Sequence, residues 1–236
     1  MSQPSSSATN GEPEKCPLPS YTGGIILNSF DALIILMGTK TGQLIATTRR
    51  PGDPEKENLI VSGNIFCYEH SSSGIKRWTD SKNWSPSRVH ENFLLYRELN
   101  KPYPAGEKKR ARKKDARNAP RQGGLPRETA AAVAAVTAAT GQSNDGTNNH
   151  DPLRPYIGSL VDSYDFKQKG GLVKRTIPLV YDGVPHHVVS YYSIEDALKP
   201  GTLTQPSQDV TLARLCFPDN KLINEQKFKF PIYQEY

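Results

Sequence analysis

Residues 74–88 read GIKRWTDSKNWSPSR, a stretch in which four cations, Lys76, Arg77, Lys82 and Arg88, stand against one acid, Asp80. Trp78 and Trp84, the two tryptophans of the protein, lie within it among the hydroxyls of Thr79, Ser81, Ser85 and Ser87. The chemistry this combination supports is phosphate recognition. Exposed cations attract phosphate oxygens, hydroxyls donate to them, and large aromatics at the base of a loop hold its shape so that the cations project together. Arg77 and Arg88 suit entry into a groove, because a guanidinium makes two-pronged contacts and is favoured where a minor groove is narrow. Lys76 and Lys82 suit phosphates, with Thr79, Ser85 and Ser87 as neutral donors. Trp78 and Trp84 suit anchoring of the loop. Asp80, which phosphate would repel, suits orienting Arg77 or capping the loop. The same composition also fits a solvated surface loop with no ligand.

Catalytic patterns are missing from the sequence: it has no Walker loop, dinucleotide glycine pattern, GxSxG elbow or HExxH. His186 and His187 are adjacent on a predicted strand, so their rings face opposite sides and cannot chelate one metal together. Asp80, Ser85 and His90 supply the residue types of a hydrolytic triad, but those types co-occur by chance in many loops. Cys16, Cys67 and Cys216 are widely spaced, odd in number and without a CxxC pair, which points to reduced thiols rather than a disulfide frame or zinc site. No enzyme activity, metal or cofactor is expected. Thr79 carries one further pattern: a hydroxyl two residues after the basic pair Lys76 and Arg77 is what basophilic kinases accept, and a phosphate there adds about −1.5 to −2 charges.

A contact loop needs a frame. After a polar N-terminal tail, residues 1–20, the GGIIL stretch predicts a short strand, and Asn28 with Asp31 three positions later predicts a capped helix ending near Gly38. A buried strand is the alternative there. Within residues 59–69, LIVSGNIFCYE, Ile65 and Cys67 alternate with Phe66 and Tyr68, which reads as a strand apolar on both faces, with a bend or bulge at Ser62 and Gly63 before it. NFLLYREL closes the first block as another strand, so the tryptophan loop hangs between two strands and loses little entropy on binding. The clearest hairpin follows later: LVKRTIPLVY and VPHHVVSYY flank Asp182 and Gly183, a pair suited to a type I′ turn. Pro178 and Pro185 cannot donate ladder hydrogen bonds and belong at non-bonded positions or on an edge. Lys174 and Arg175 point to opposite faces, so at most one joins the basic surface, and Lys174 is the candidate. Ser193 and Asp196 predict an N-cap for the short helix IEDAL. A lone hairpin is marginal in water, so this one needs the sheet of the first block. Beyond Cys216 the sequence predicts no firm structure.

GIKRWTDSKNWSPSR followed by NFLLYREL resembles the signature of the WOPR-domain regulators, the fungal white-opaque and gluconate-uptake family of transcription factors. GLVKRTIPLVYDGVPHHVVSYYS, residues 171–193, resembles the second piece of that pattern. The likeness covers roughly residues 21–99 and 156–215. It implies that two blocks separated by a variable linker fold into one unit binding double-stranded DNA at a short A/T-rich site. It further implies control of a fungal developmental or morphological programme, such as sexual development, sporulation or a growth-form switch, with a link to nutrient and cAMP signalling. Ser81 departs from the family, which usually has glycine after RWTD, and so questions how readily the backbone there takes positive φ.

The chain has 236 residues, 36% apolar, with 18 Gly and 19 Pro, which favours a folded core with disordered flanks. Its formal charge is +6. Residues 105–121 hold eight Lys or Arg against two acids, so the remainder is net neutral and affinity in the folded part must come from local patches. Within that run Lys108, Lys109, Arg110, Arg112, Lys113, Lys114 and Arg117 read as a nuclear import signal and DNA tether. A basic but otherwise idle linker is the alternative. The N-terminus lacks the apolar run of a signal peptide, and no segment approaches a membrane span. The expectation is therefore an α+β domain around a mostly antiparallel sheet with a few short helices. It is built from blocks 21–99 and 153–215, split by a linker at 100–152 and followed by an extension at 216–236. It would be a nuclear DNA-binding regulator acting with co-regulator proteins. Two rivals use the same loop: a single-stranded RNA binder stacking bases on the tryptophans, and an interaction scaffold with no nucleic-acid affinity.

Overall fold

Asp182 and Gly183 both take positive φ, 48° and 75°, the requirement of a type I′ turn. That turn pairs Tyr181 with Val184 and fixes the register of everything behind it. In the computed structural model, which describes residues 18–104, 152–161 and 163–232, the hairpin forms the centre of a five-stranded antiparallel sheet. The strands are β1 (Ile65–Glu69), β2 (Arg88–His90), β3 (Phe93–Arg97), β4 (Leu172–Tyr181) and β5 (Val184–Ser193), in the order β1-β5-β4-β3-β2. Strands from the first block thus flank a hairpin from the second, and neither block has a complete sheet alone. Pro178 lies beyond the end of β3 and Pro185 beyond the end of β1, so neither proline costs a ladder bond on its outer side.

One face of the sheet carries helix α1 (Ser29–Lys40). Asn28 caps it by accepting from Asp31 N at 2.9 Å, as the sequence predicts. Leu33, Ile34, Ile35 and Leu36 are all fully buried, because the helix is enclosed on every side rather than lying on the surface. Beneath it are Ile65, Cys67, Phe93, Ile177, Leu179 and Val188 of the sheet. The other helices are short: α2 (Asp53–Leu59), α3 (His70–Ser73), α4 (Arg154–Ile157), α5 (Ile194–Leu198), α6 (Val210–Leu215) and α7 (Asn220–Glu225). Ser193 caps α5 by accepting from Asp196 N.

Two segments differ from the sequence expectation. GGIIL forms a single bridge, Gly24 to Thr204, rather than a strand, just after the bridge of Tyr21 to Ile65. The chain turns at Gly23, φ 68°, and a side chain on Gly24 would meet the Tyr21 ring at 2.5 Å. The stretch after Cys216, for which the sequence offers no account, completes the sheet. Cys216 and Leu222 enter the core around α1. Gln226 donates to Val180 O at 2.7 Å and accepts from Val180 N at 3.0 Å, an amide standing in for a strand neighbour where β3 has ended. Glu225 accepts from Asp182 N and Gly183 N, holding the turn.

Candidate nucleic-acid interface

The opposite face of the sheet is covered by the 74–88 loop, which leaves β1 at one edge and returns as β2 at the other. Gly74 starts it in the left-handed region, φ 64°, ending α3. Ile75 is then buried, 3% exposed, and fixes the first turn. Lys76, Arg77 and Thr79 are exposed, whereas Trp78 turns in and Asp80 is 4% exposed. Strand alternation explains the floor they meet. Phe66 and Tyr68 of β1, Leu172 of β4, and Val189 and Tyr191 of β5 point to this face and form a cluster with Ile60, Ile75, Trp78 and Trp84.

Asp80 is the hub. One carboxylate oxygen accepts from Lys174 Nζ at 2.9 Å and Tyr191 Oη at 2.7 Å; the other accepts from Trp84 Nε1 at 2.7 Å. Trp78 Nε1 donates to Tyr191 Oη at 2.6 Å, so both indoles are tied through one carboxylate. The Lys174 ammonium also lies over the rings of Trp84, 4.4 Å, and Tyr96, 4.8 Å. Burial by itself would raise the Asp80 pKa, but the Lys174 charge and the donated hydrogen bonds outweigh it and hold the carboxyl below its ordinary value. Burial pulls the Lys174 ammonium below its ordinary value, and Asp80 opposes that pull. Burial, then the Asp80 charge, raise the Tyr191 phenol well above 10. Asp80 therefore stays anionic and Tyr191 stays a donor.

This geometry corrects three sequence expectations. Lys174 is turned inward, 8% exposed, because its strand face is the one the loop covers; it holds Asp80 and is not part of the outer basic surface. Arg175, on the other face, is also buried, donating to Ile26 O and lying 4.4 Å from the Phe93 ring centre. Ser85 is 3% exposed, accepts from Arg97 N and donates to Pro86 O, so its hydroxyl is spent on the frame. Asp80 orients Trp84, Tyr191 and Lys174 rather than Arg77.

The remaining candidates fall into two groups. Lys76, Arg77 and Thr79 are exposed together on the β1 side. Lys82 is half-buried, Ser87 is exposed, and Arg88 sits on edge strand β2 with its guanidinium donating to Tyr164 Oη at 2.7 Å. Arg77 precedes Trp78, which lies against Tyr68 of β1, whereas Arg88 is on β2 at the opposite edge of the sheet. Ser81 adopts φ 58°, the left-handed conformation that the family's usual glycine would take without strain. Lys108, Lys109, Arg110, Arg112, Lys113, Lys114 and Arg117 lie outside the described residues.

Two residues of the surface were invisible in the sequence. Arg50 Nη1 donates to Arg77 O and Thr79 Oγ1, both at 3.3 Å, and Lys56 Nζ donates to Ser81 Oγ at 2.7 Å. In the sequence residues 49–58, RRPGDPEKEN, read as a charged turn with two prolines, though α2 begins within them, and no local pattern announces a contact across 25 residues or more. Tyr191, by contrast, was within reach: the turn at Asp182 and Gly183 sets Lys174 opposite Tyr191 by register alone.

A cationic loop drawn across an antiparallel sheet and pinned by its aromatics is the defining feature of this α+β domain. The Gti1/Pac2 family matches residues 20–193, and the chain belongs to that family. It is 47% identical over 215 residues to the global transcription regulator sge1 of Gibberella fujikuroi, covering 91% of this chain and 63% of the relative, so it spans less than two thirds of that protein's length. Two solved structures share the fold at 26% identity. One is described as a fungal protein, with TM-score 0.56 over 89% of this chain and 92% of that one. The other is the WOPR domain of Wor1 from Candida albicans in complex with a 17-base-pair double-stranded DNA, with TM-score 0.50 over 84% of this chain and 92% of that one. The sge1 relative is a transcription regulator, in line with a non-enzymatic reading of this chain.

Proposed function

We propose that this chain is a sequence-specific regulator of transcription that binds double-stranded DNA through the 74–88 loop and governs a fungal developmental or morphological programme. One observation carries the reading: the Asp80 hub fixes the base of the loop while Lys76, Arg77 and Thr79 remain exposed above it. A preorganised cationic edge costs little to order on binding. The relatives named above, one of them solved in complex with a duplex, support the same reading.

Arg77 is the residue for a narrow A/T-rich minor groove, Lys76 and Lys82 serve phosphates, Thr79 and Ser87 add neutral donors, and Arg88 contacts the backbone from the β2 edge. Single-strand stacking is disfavoured because Trp78 lies against Tyr68, ring centres 5.5 Å apart, and Trp84 is held by Asp80. Selection from a random duplex pool, using protein lacking residues 105–121, tests the reading. Recovery of one A/T-rich motif supports it; no enrichment by a folded domain sinks it in favour of a protein-interaction scaffold. The 105–121 run supplies nuclear import and a sequence-independent tether, and its deletion should leave the protein in the cytoplasm and flatten the salt dependence of binding. Co-regulator proteins set the direction of regulation, to be sought by affinity capture on promoter DNA.

A basophilic kinase acting on the exposed Thr79 hydroxyl would place a dianion among the cations and weaken DNA binding. Thr79→Glu should reduce duplex affinity severalfold in a titration, and unchanged affinity would remove the support for this control.

A further inference from the structure

Beside the loop lies a cleft of about 460 Å³, walled on one side by Arg50, Pro51 and Lys56 and on the other by Gly74, Ile75 and Thr79. Asp53 is the acid of its lining, and both it and the nearby Glu55 are paired. Glu55 is held by Arg49 through two bonds of 2.8 and 2.9 Å and by Gly52 N, and Asp53 pairs with Lys56 at 2.6 Å. Arg50 is exposed, and among the described residues its side-chain hydrogen bonds engage Nη1 alone, leaving the Nε and Nη2 donors for a ligand. Ile75, buried beneath, supplies an apolar floor, and Thr79 a hydroxyl. Cationic wall, hydroxyl and apolar floor together match a sugar-phosphate unit better than a lone ion, which would not fill the space. A planar guanidinium with free donors suits two phosphate oxygens at once.

We propose that this cleft seats a backbone segment of the bound duplex, continuous with the strand that crosses the loop, and that Arg50 is its phosphate ligand, Lys56 being spent on Asp53 and Ser81. The inference rests on the duplex-binding reading above and extends it to residues the loop does not contain. Seating there adds affinity without sequence preference, because phosphate contacts position the protein and carry no base information.

The test uses the full chain and two labelled duplexes of equal length, one with an A/T-rich core and one of G/C pairs only, titrated by anisotropy over a range of NaCl. Arg50→Gln should weaken both duplexes by the same factor and lower the slope of log K against log salt by about 0.9, the value of one phosphate contact on B-DNA. Arg50→Lys, which keeps the charge, should restore the slope. An unchanged slope in Arg50→Gln, with wild-type protein still binding, overturns the cleft and leaves the loop reading intact. A loss confined to the A/T-rich duplex that lysine fails to rescue also overturns it, since Arg50 would then act by positioning Arg77. Absence of duplex binding by the wild type overturns both readings.

Discussion

At the scale of single residues, the decisive feature is a buried charge pair that does no recognition itself. Asp80 and Lys174 have side chains 5% and 10% exposed, and each would be costly without the other. Asp80→Asn should therefore destabilise the protein by roughly 3–5 kcal/mol, the usual cost of leaving one buried partner uncompensated. Denaturant titration measures this directly, and tryptophan emission should shift red, because both indoles are tied through that carboxylate. A loss under 1 kcal/mol would mean that the loop is held by its apolar contacts instead. The sequence made the acid visible but not its partner. One acid among four cations invites pairing with the nearest arginine, and only the register of a distant hairpin brings Lys174 beneath it.

Among the elements, the loop's own backbone carries a strain that its side chains conceal. Ser81 stands at φ 58°, and Lys56 reaches across to its hydroxyl. Ser81→Gly should be more stable than Ser81→Ala by about 1 kcal/mol, since both lose the hydroxyl and only glycine relieves the left-handed conformation. Thermal melts of the two variants decide it; equal stability would show that the turn is not strained. This scale was the most legible in the sequence. The Asn28 cap, the Asp182 and Gly183 turn and the Ser193 cap are local signals, and each appears where the residues place it. GGIIL misled because apolar content says nothing of whether a neighbouring edge runs alongside for more than one residue. The amide of Gln226 that completes β4 could not be read, since its partner lies 46 residues away.

For the whole molecule, burial sets a dependence on acidity. His90 is pushed down to about 4 by burial and by the charges of Arg175 and Arg154, and burial also lowers His186 and His187. The unfolded chain takes up these protons near the ordinary histidine value of about 6.5, and the folded chain only at lower pH. Between about 6.5 and 4 the unfolded state thus binds more protons, and stability rises with pH in that window and is lost on acidification. Melting temperature should fall steadily from pH 7 to 5 in the wild type and less in His90→Phe; equal slopes would clear His90 of the effect. The interleaved strand order has a consequence of another kind, for manufacture on the ribosome. When residue 104 has emerged, β1 and β3 both await a hairpin that is still to be translated, after a further stretch of about seventy residues. For that interval two apolar edges stand open, a standing demand on chaperones that a sheet closed by neighbouring strands would not make. Once the hairpin arrives, the cost of the intervening chain grows only with the logarithm of its length, leaving evolution free to lengthen or rewrite it while the fold stays as it is.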